Sequence, residues 1–182
     1  MAMVGLFWIA EGDVYLGAKP SGPAPGVRLT TEGVLGLGDG RSSLVLWEDV
    51  TALTVADVPM KSLLRRAGIV GGVAVETVLN LVLPDRPIRS GEAPPLMTLR
   101  VESDGSGRLL HAYAAAAAGY SETETALSGA VLSRLTEGAA TMSTTLAAMA
   151  EWGRTEGGSP RSAERERLLR RWVDQGSAAT GT

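Results

Sequence analysis

The sequence contains no cysteine and only one histidine, His111. Without cysteine the chain can form no disulfide bonds, thiolate metal sites or cysteine nucleophiles. A single histidine also excludes the metal motifs that need two. His111 is therefore the one candidate for an imidazole general base. It lies in the predicted strand RLLHAYA, and no serine stands in an elbow motif to use it. We interpret it as a half-buried strand residue, and we predict no catalytic residue, metal ligand or cofactor.

Aromatic residues make up only 4% of the chain, whereas apolar residues make up 45%. A length of 182 residues is enough for one main core and too short for two large domains. The composition therefore predicts a globular protein whose core is built mostly of valine, leucine and alanine.

Long apolar runs are also missing. The nearest, residues 68–83, is interrupted by Glu76 and Asn80, and it falls short of the roughly 20 residues that cross a bilayer. The N-terminus lacks the basic start of a secretory signal, and it carries Glu11 and Asp13 where a cleavage site would need small residues. We therefore predict a cytoplasmic protein, with a peripheral membrane location as the alternative.

Neither sign of charge dominates, because the net charge is −3. This value disfavours a dedicated nucleic-acid binder. The charge is unevenly distributed, however. From Arg154 onward there are six arginines and four acidic residues, whereas the remainder of the chain has a net negative charge.

Residues 3–56 and 96–114 have the turn pattern of an antiparallel β structure. Short apolar runs, beginning with VGLFWIA at residues 4–10, are separated by turn residues at 11–12, 31–33, 39–41 and 104–107. We expect about seven or eight strands within residues 3–56 and 96–114.

After Tyr120 the pattern becomes helical. Ser121 and Glu124 have the spacing of a capping box, apolar residues recur every four positions, and Gly138 marks an end. Two further helices are predicted over residues 140–152 and 159–173.

Five segments in this order resemble the pleckstrin-homology-like (PH-like) superfold, in the abbreviated form of bacterial and GRAM-type domains. They are VRLTTEGVLGL, LVLWEDVTALTV, TLRVES, RLLHAYA and the helix that begins at Ser121. In that family a strand ending in an aromatic-acidic pair leads directly into the next strand, as LWEDV does here. A C-terminal helix then closes the open end of the sheet sandwich.

The resemblance covers about residues 27–136 and implies an α+β fold. This would be a PH-like antiparallel β-sandwich or half-open barrel, closed by a C-terminal helix and followed by extra helices. The β domain would span residues 1–137 with an insertion at about 58–95. A helical extension would span 138–176, and residues 177–182 would be a disordered tail.

At the LWEDV corner we expect Trp47 to pack inward and Glu48 or Asp49 to accept hydrogen bonds from backbone amides. Adjacent residues on a strand point to opposite faces, so the two carboxylates are not expected to act as an acid–base pair.

Two segments combine features of a contact surface. The first has basic and apolar residues near the start of the insertion: Lys61, Leu63, Arg65, Arg66 and Ile69. It suits an anionic membrane, self-association or packing within the chain. The second is an apolar stripe on the last helix: Leu168, Leu169, Trp172 and Val173. Such a stripe docks on its own domain or on another chain.

The PH-like fold hosts lipid binding, peptide binding and structural roles, so it does not determine one function. We predict a non-catalytic binding or scaffold module that contacts a protein partner and self-associates as a homo-oligomer. The alternative is a peripheral membrane module that binds anionic lipid through Lys61, Arg65 and Arg66. An enzyme that depends on His111 is a weaker hypothesis. Nucleic-acid binding by the C-terminal arginines is disfavoured because acids are interspersed among them.

Overall fold

Short hairpins build the first sheet. The computed structural model describes residues 1–61, 94–155 and 158–175, and in it six strands form one antiparallel sheet in chain order. They are β1 (Ala2–Val4), β2 (Phe7–Ala10), β3 (Asp13–Leu16), β4 (Gly26–Leu29), β5 (Gly33–Gly38) and β6 (Arg41–Leu46). The two-residue turns at 11–12 and 39–40 have positive φ at both residues, as a type I′ hairpin requires. The predicted turn at 11–12 is confirmed, and the one predicted over 39–41 is present but shorter by one residue, because Arg41 already pairs with Gly38.

The N-terminal apolar run forms two strands and not the single strand that its composition suggested. Gly5 turns the chain with a φ of 56°, and Val4 pairs with Phe7 across the turn. A side chain at Gly5 would also collide with Ser128. The described residues therefore contain nine strands, where seven or eight were expected.

The second sheet has three antiparallel strands, β7 (Val50–Ala56), β8 (Leu96–Ser103) and β9 (Ser106–Tyr113), in that order. Alternate residues of β8, namely Met97, Leu99 and Val101, face the core and are buried. A 3-10 turn at Trp47–Asp49 joins the two sheets. The turn between β8 and β9 is shorter than predicted, because Ser106 already pairs with Ser103.

Three helices follow the sheets within the described part of the chain: α1 (Glu122–Leu135), α2 (Ala139–Thr155) and α3 (Ser162–Asp174). The predicted capping box of α1 is present, with Ser121 Oγ accepting from the Glu124 N–H at 3.1 Å and Glu124 Oε2 accepting from the Ser121 N–H at 3.1 Å. The α2 and α3 predictions are confirmed, although α3 begins three residues later than expected.

One hydrophobic core lies between the sheets and the helices. It joins inward-facing strand residues such as Ile9 to Val131 of α1, Met149 of α2 and Leu169 of α3. The helices of the predicted extension thus bury their apolar residues in the same core as the strands. A smaller cluster on the outer face of the first sheet includes Trp8 and Tyr15.

Candidate binding surface at the sixth strand

Strand β6 is the last strand of the first sheet. Its six residues pair with β5 in unbroken register, from Gly38 with Arg41 to Gly33 with Leu46. Among the described residues no strand pairs with its other edge. Such an edge presents backbone N–H and C=O groups that can accept a further strand.

The sequence of β6, RSSLVL, has few of the features that prevent strand addition. Natural edge strands are protected by prolines, bulges and inward-pointing or central charges. Here there is no proline and no bulge, and the one charged residue, Arg41, stands at the first position. Within residues 1–61, 94–155 and 158–175, the backbone of β6 is therefore open to pairing along most of its length.

The outward face of β6 is apolar. Strand alternation turns Val45 toward the core and Leu44 and Leu46 outward, and each of these leucines is 40% exposed. Leu44 lies directly opposite Leu35 of β5, and Leu37 is next along the same face. We call these four residues the leucine face: Leu35, Leu37, Leu44 and Leu46. Leu35 and Leu37 are partly buried, and Leu37 packs against the Trp8 and Tyr15 cluster, so the exposed part of this face is Leu44 and Leu46. Two exposed leucines beside a strand edge are a candidate contact surface.

An open groove of about 250 Å³ lies between β6 and the tip of the β8–β9 hairpin. Its walls combine apolar residues with three charged ones at the rim. The lining residues are Leu44, Val45, Asp49, Val101, Ser103, Asp104, Ser106 and Arg108. The groove gives the β6 edge a polar border on the side away from β5.

At the corner that follows β6, the stabilising contacts come from Trp47 and not from the carboxylates of Glu48 and Asp49. Trp47 is half-buried against the core, and its indole Nε1–H donates to the Thr30 carbonyl at 2.8 Å. Glu48 and Asp49 are exposed, and neither accepts a hydrogen bond from a described residue. The inward packing of Trp47 is confirmed in part, whereas the predicted hydrogen bonds to the carboxylates are not observed.

Of the residues named in the insertion, Leu63, Arg65, Arg66 and Ile69 lie outside the described residues. Lys61 is described, and its Nζ lies 3.7 Å from Glu124 Oε2. Lys61 therefore forms an ion pair within its own chain, while its side chain stays 44% exposed.

The apolar stripe of α3 lies in the chain's own core. Leu168, Leu169 and Trp172 are 6%, 0% and 1% exposed, and Val173 is half-buried. Trp172 also meets Trp152 edge to face, with ring centroids 6.0 Å apart. In this conformation the stripe is not a surface for a partner, because α1, α2 and the first sheet cover it.

A buried ion-pair cluster links the two predicted contact segments. The Glu124 carboxylate is 1% exposed, and its Oε1 accepts from Arg165 Nε of α3 at 2.6 Å. Burial raises the pKa of Glu124, but the Ser121 N–H, Arg165 and Lys61 outweigh it, so the pKa is lowered overall. Sequence analysis identified Glu124 as a capping residue and missed Arg165, which lies 41 positions away.

His111 lies on strand β9 as expected, but it is exposed on the outer face of the second sheet and not half-buried as predicted. Its Nδ1 lies 3.4 Å from Thr98 Oγ1, and that hydroxyl donates to Asp57 Oδ2 at 2.9 Å. In a serine–histidine–aspartate triad the imidazole lies between the hydroxyl and the carboxylate. Here the hydroxyl lies in the middle, so the cluster provides no argument for nucleophilic catalysis.

Comparison with known protein families, with curated proteins and with solved structures found no match to this chain. Within residues 1–61, 94–155 and 158–175, no three histidine, aspartate or glutamate side chains are grouped so as to hold a metal ion. None of the helices in those ranges is long and apolar enough to cross a membrane.

Proposed function

We propose that this protein is a non-catalytic binding module that contacts other protein chains through β6 and self-associates. The observation that carries the proposal is a strand edge that no other described strand pairs with, together with the leucine face beside it. An extended segment that pairs with β6 would gain backbone hydrogen bonds along the strand. Every second side chain of that segment would lie against the leucine face.

A PH-like architecture is part of the proposal. Two features support it: β6 passes into β7 through the short corner at Trp47–Asp49, and α1 packs against β7 and the core. Strands β1 and β2, the insertion, α2 and α3 are additions to that arrangement. Because PH-like domains include peptide binders, the proposed use of β6 suits the fold.

Site-specific crosslinking tests the proposal. A photoreactive amino acid at position 42 lies on the exposed part of β6, and the same group at position 54 lies on the exposed face of β7 as a control. In cells that produce the protein, we expect illumination to give protein adducts from position 42 and none from position 54. The adducts should be lost when the Leu44→Lys/Leu46→Lys changes are added, because two charges then occupy the leucine face.

Absence of adducts from position 42 would contradict the proposal. Equal adducts from both positions would also contradict it, since they would show random contact. Leu109→Lys serves as the matched variant: Leu109 is 58% exposed on β9, away from the leucine face, and its substitution should leave the adducts unchanged.

The second candidate function is binding to anionic lipid. It is favoured by three exposed arginines of α3, Arg167, Arg170 and Arg171, which form no ion pair with a described residue. Sedimentation with anionic and neutral vesicles tests it. A lipid module would bind only the anionic vesicles, release them as salt rises, and lose binding in Arg170→Glu/Arg171→Glu or Arg65→Glu/Arg66→Glu. Lack of binding to anionic vesicles at low salt would exclude this function.

A further inference from the structure

We propose that the β6 edge binds an extended segment of a different protein that carries a basic residue, then a short apolar run, then an acidic residue. The segment runs antiparallel to β6, as every neighbouring pair in both sheets does. The inference rests on the proposed function and names the chemistry of its partner. The charges at the two ends of β6 and in the groove beside it carry the inference.

Opposite charges flank the apolar part of β6. Arg41 is the first residue of the strand, and Asp49 lies in the 3-10 turn that follows its last residue. Both are exposed, and neither forms an ion pair with a described residue. A segment that runs antiparallel to β6 begins beside Asp49 and ends beside Arg41. Opposite charges on facing strands are favourable, so the segment has its basic residue first and its acidic residue last.

The groove provides a place for the basic side chain of the segment. Asp49 and Asp104 line it, and Arg108 is the one basic residue among the lining residues. None of the three forms an ion pair with a described residue. Two carboxylates and one guanidinium give the groove a net negative charge. A lysine or arginine would bring its charge to these carboxylates while its aliphatic stem covers Val45 and Val101.

The middle of the segment must be apolar on both faces. Leu44 and Leu46 face outward and Val45 faces inward. In an antiparallel pair, directly opposite residues lie on the same face of the sheet. Three successive apolar residues of the segment would therefore each meet an apolar residue of β6.

The β6 strand of a second copy fits this edge poorly. When the apolar residues of two copies are level, only residues 44–46 pair, because the chain leaves the strand at Trp47. Same-face registers that pair more of β6 place Leu46 opposite Ser42, or Val45 opposite Arg41. A segment of a different protein can remain extended along all six residues of β6, so we assign the edge to such a segment.

Selection from a phage-displayed library of random linear peptides on the immobilised native chain tests the inference. We expect the enriched peptides to share an apolar run with lysine or arginine on its N-terminal side and aspartate or glutamate on its C-terminal side. Lack of enrichment would overturn the inference. Enriched peptides with the reverse charge order, or with no charge preference, would also overturn it.

Fluorescence anisotropy with the most enriched peptide then assigns the charge preference to the groove. We expect Asp49→Asn/Asp104→Asn to raise the dissociation constant by about tenfold, because both carboxylates lose their charge and keep their shape. Leu44→Lys/Leu46→Lys should raise it by about tenfold or more. Unchanged binding in either variant would overturn the inference.

Glu122→Gln/Asp174→Asn is the matched control for the groove variant. Both residues are exposed on helices and do not line the groove, and their substitution changes the net charge by the same amount. This control should bind the peptide like the native chain. Equal weakening in the control and the groove variant would overturn the inference, since overall charge would then explain the effect. Circular dichroism checks that each variant is folded.

The identity of the adducts formed from position 42 in cells separates this inference from the proposed function. Adducts with a different protein that persist at the native level in Asp49→Asn/Asp104→Asn would overturn the charge pattern and leave β6 as a binding edge. Adducts between two copies of the chain would overturn the different protein as partner and leave self-association. An adduct within one chain would overturn both the inference and the proposed function, since the chain itself would cover the edge.

Discussion

At the corner between the two sheets, Trp47 combines packing with one hydrogen bond to Thr30. Trp47→Phe keeps most of the apolar contact and removes the donor, so we expect a loss of about 1 kcal/mol in unfolding free energy. Trp47→Ala also removes the ring, and we expect a loss of about 2–3 kcal/mol, below the range for a fully buried tryptophan because this one is half-buried. Urea unfolding measures both. Equal losses in the two variants would mean that ring packing contributes nothing.

Glu124 makes stability depend on acid pH. The pKa of Glu124 is lowered in the folded protein. Its contribution to the free energy of unfolding is therefore fully present above the pKa that it has in the unfolded chain, and it is lost as the pH falls through the pKa that it has in the folded protein. We expect the native chain to lose stability from about pH 5 downward, and Glu124→Gln to have a flatter profile over that range. Urea unfolding at several pH values measures this difference.

Glu122→Gln is the matched control for Glu124→Gln. Glu122 lies in the same first turn of α1 but is exposed and forms no ion pair with a described residue. Its pH profile should therefore follow that of the native chain. Parallel profiles for all three proteins would show that the buried ion pair with Arg165 is not the source of the acid sensitivity.

At the level of elements, β6 and α3 differ in whether their apolar side chains are exposed. Both carry leucines that sequence patterns alone present as surface stripes. The α3 leucines are covered by the chain itself, whereas Leu44 and Leu46 remain 40% exposed. Of these two sets of apolar residues, the one left exposed is therefore on β6 and not on the last helix.

Substitution of α3 tests this contrast. Leu169 is fully buried beside Gly5, so Leu169→Ala should lower the unfolding free energy by about 2–5 kcal/mol. The neighbouring Arg170→Ala is exposed and should change it by no more than about 0.5 kcal/mol. Urea unfolding gives both values. If Leu169→Ala instead left stability intact and altered the apparent mass in solution, α3 would be an interface.

At the level of the whole molecule, local features were predictable and long-range ones were not. The turn at residues 39–40 and the Ser121 cap could be predicted because neighbouring residues determine them. The break at Gly5 could not, since the close approach that requires glycine comes from Ser128. The position of β6 at the edge of the sheet could not be predicted either. The alternation of residues along a strand shows which face each side chain lies on, but it does not show which strands are neighbours in the sheet.

The shared core makes a prediction about cooperativity. The sequence suggested a β domain ending at residue 137 and a separate helical extension, yet α2 and α3 bury Met149, Leu169 and Trp172 among the strand residues. A single core of this size should unfold in one transition. We therefore expect the amides of β8 and α3 to lose protection together in native-state hydrogen exchange measured by mass spectrometry at increasing urea. If α3 exchanged at much lower urea than β8, the helices would form a separate unit, and the apolar stripe of α3 would again be available to a partner.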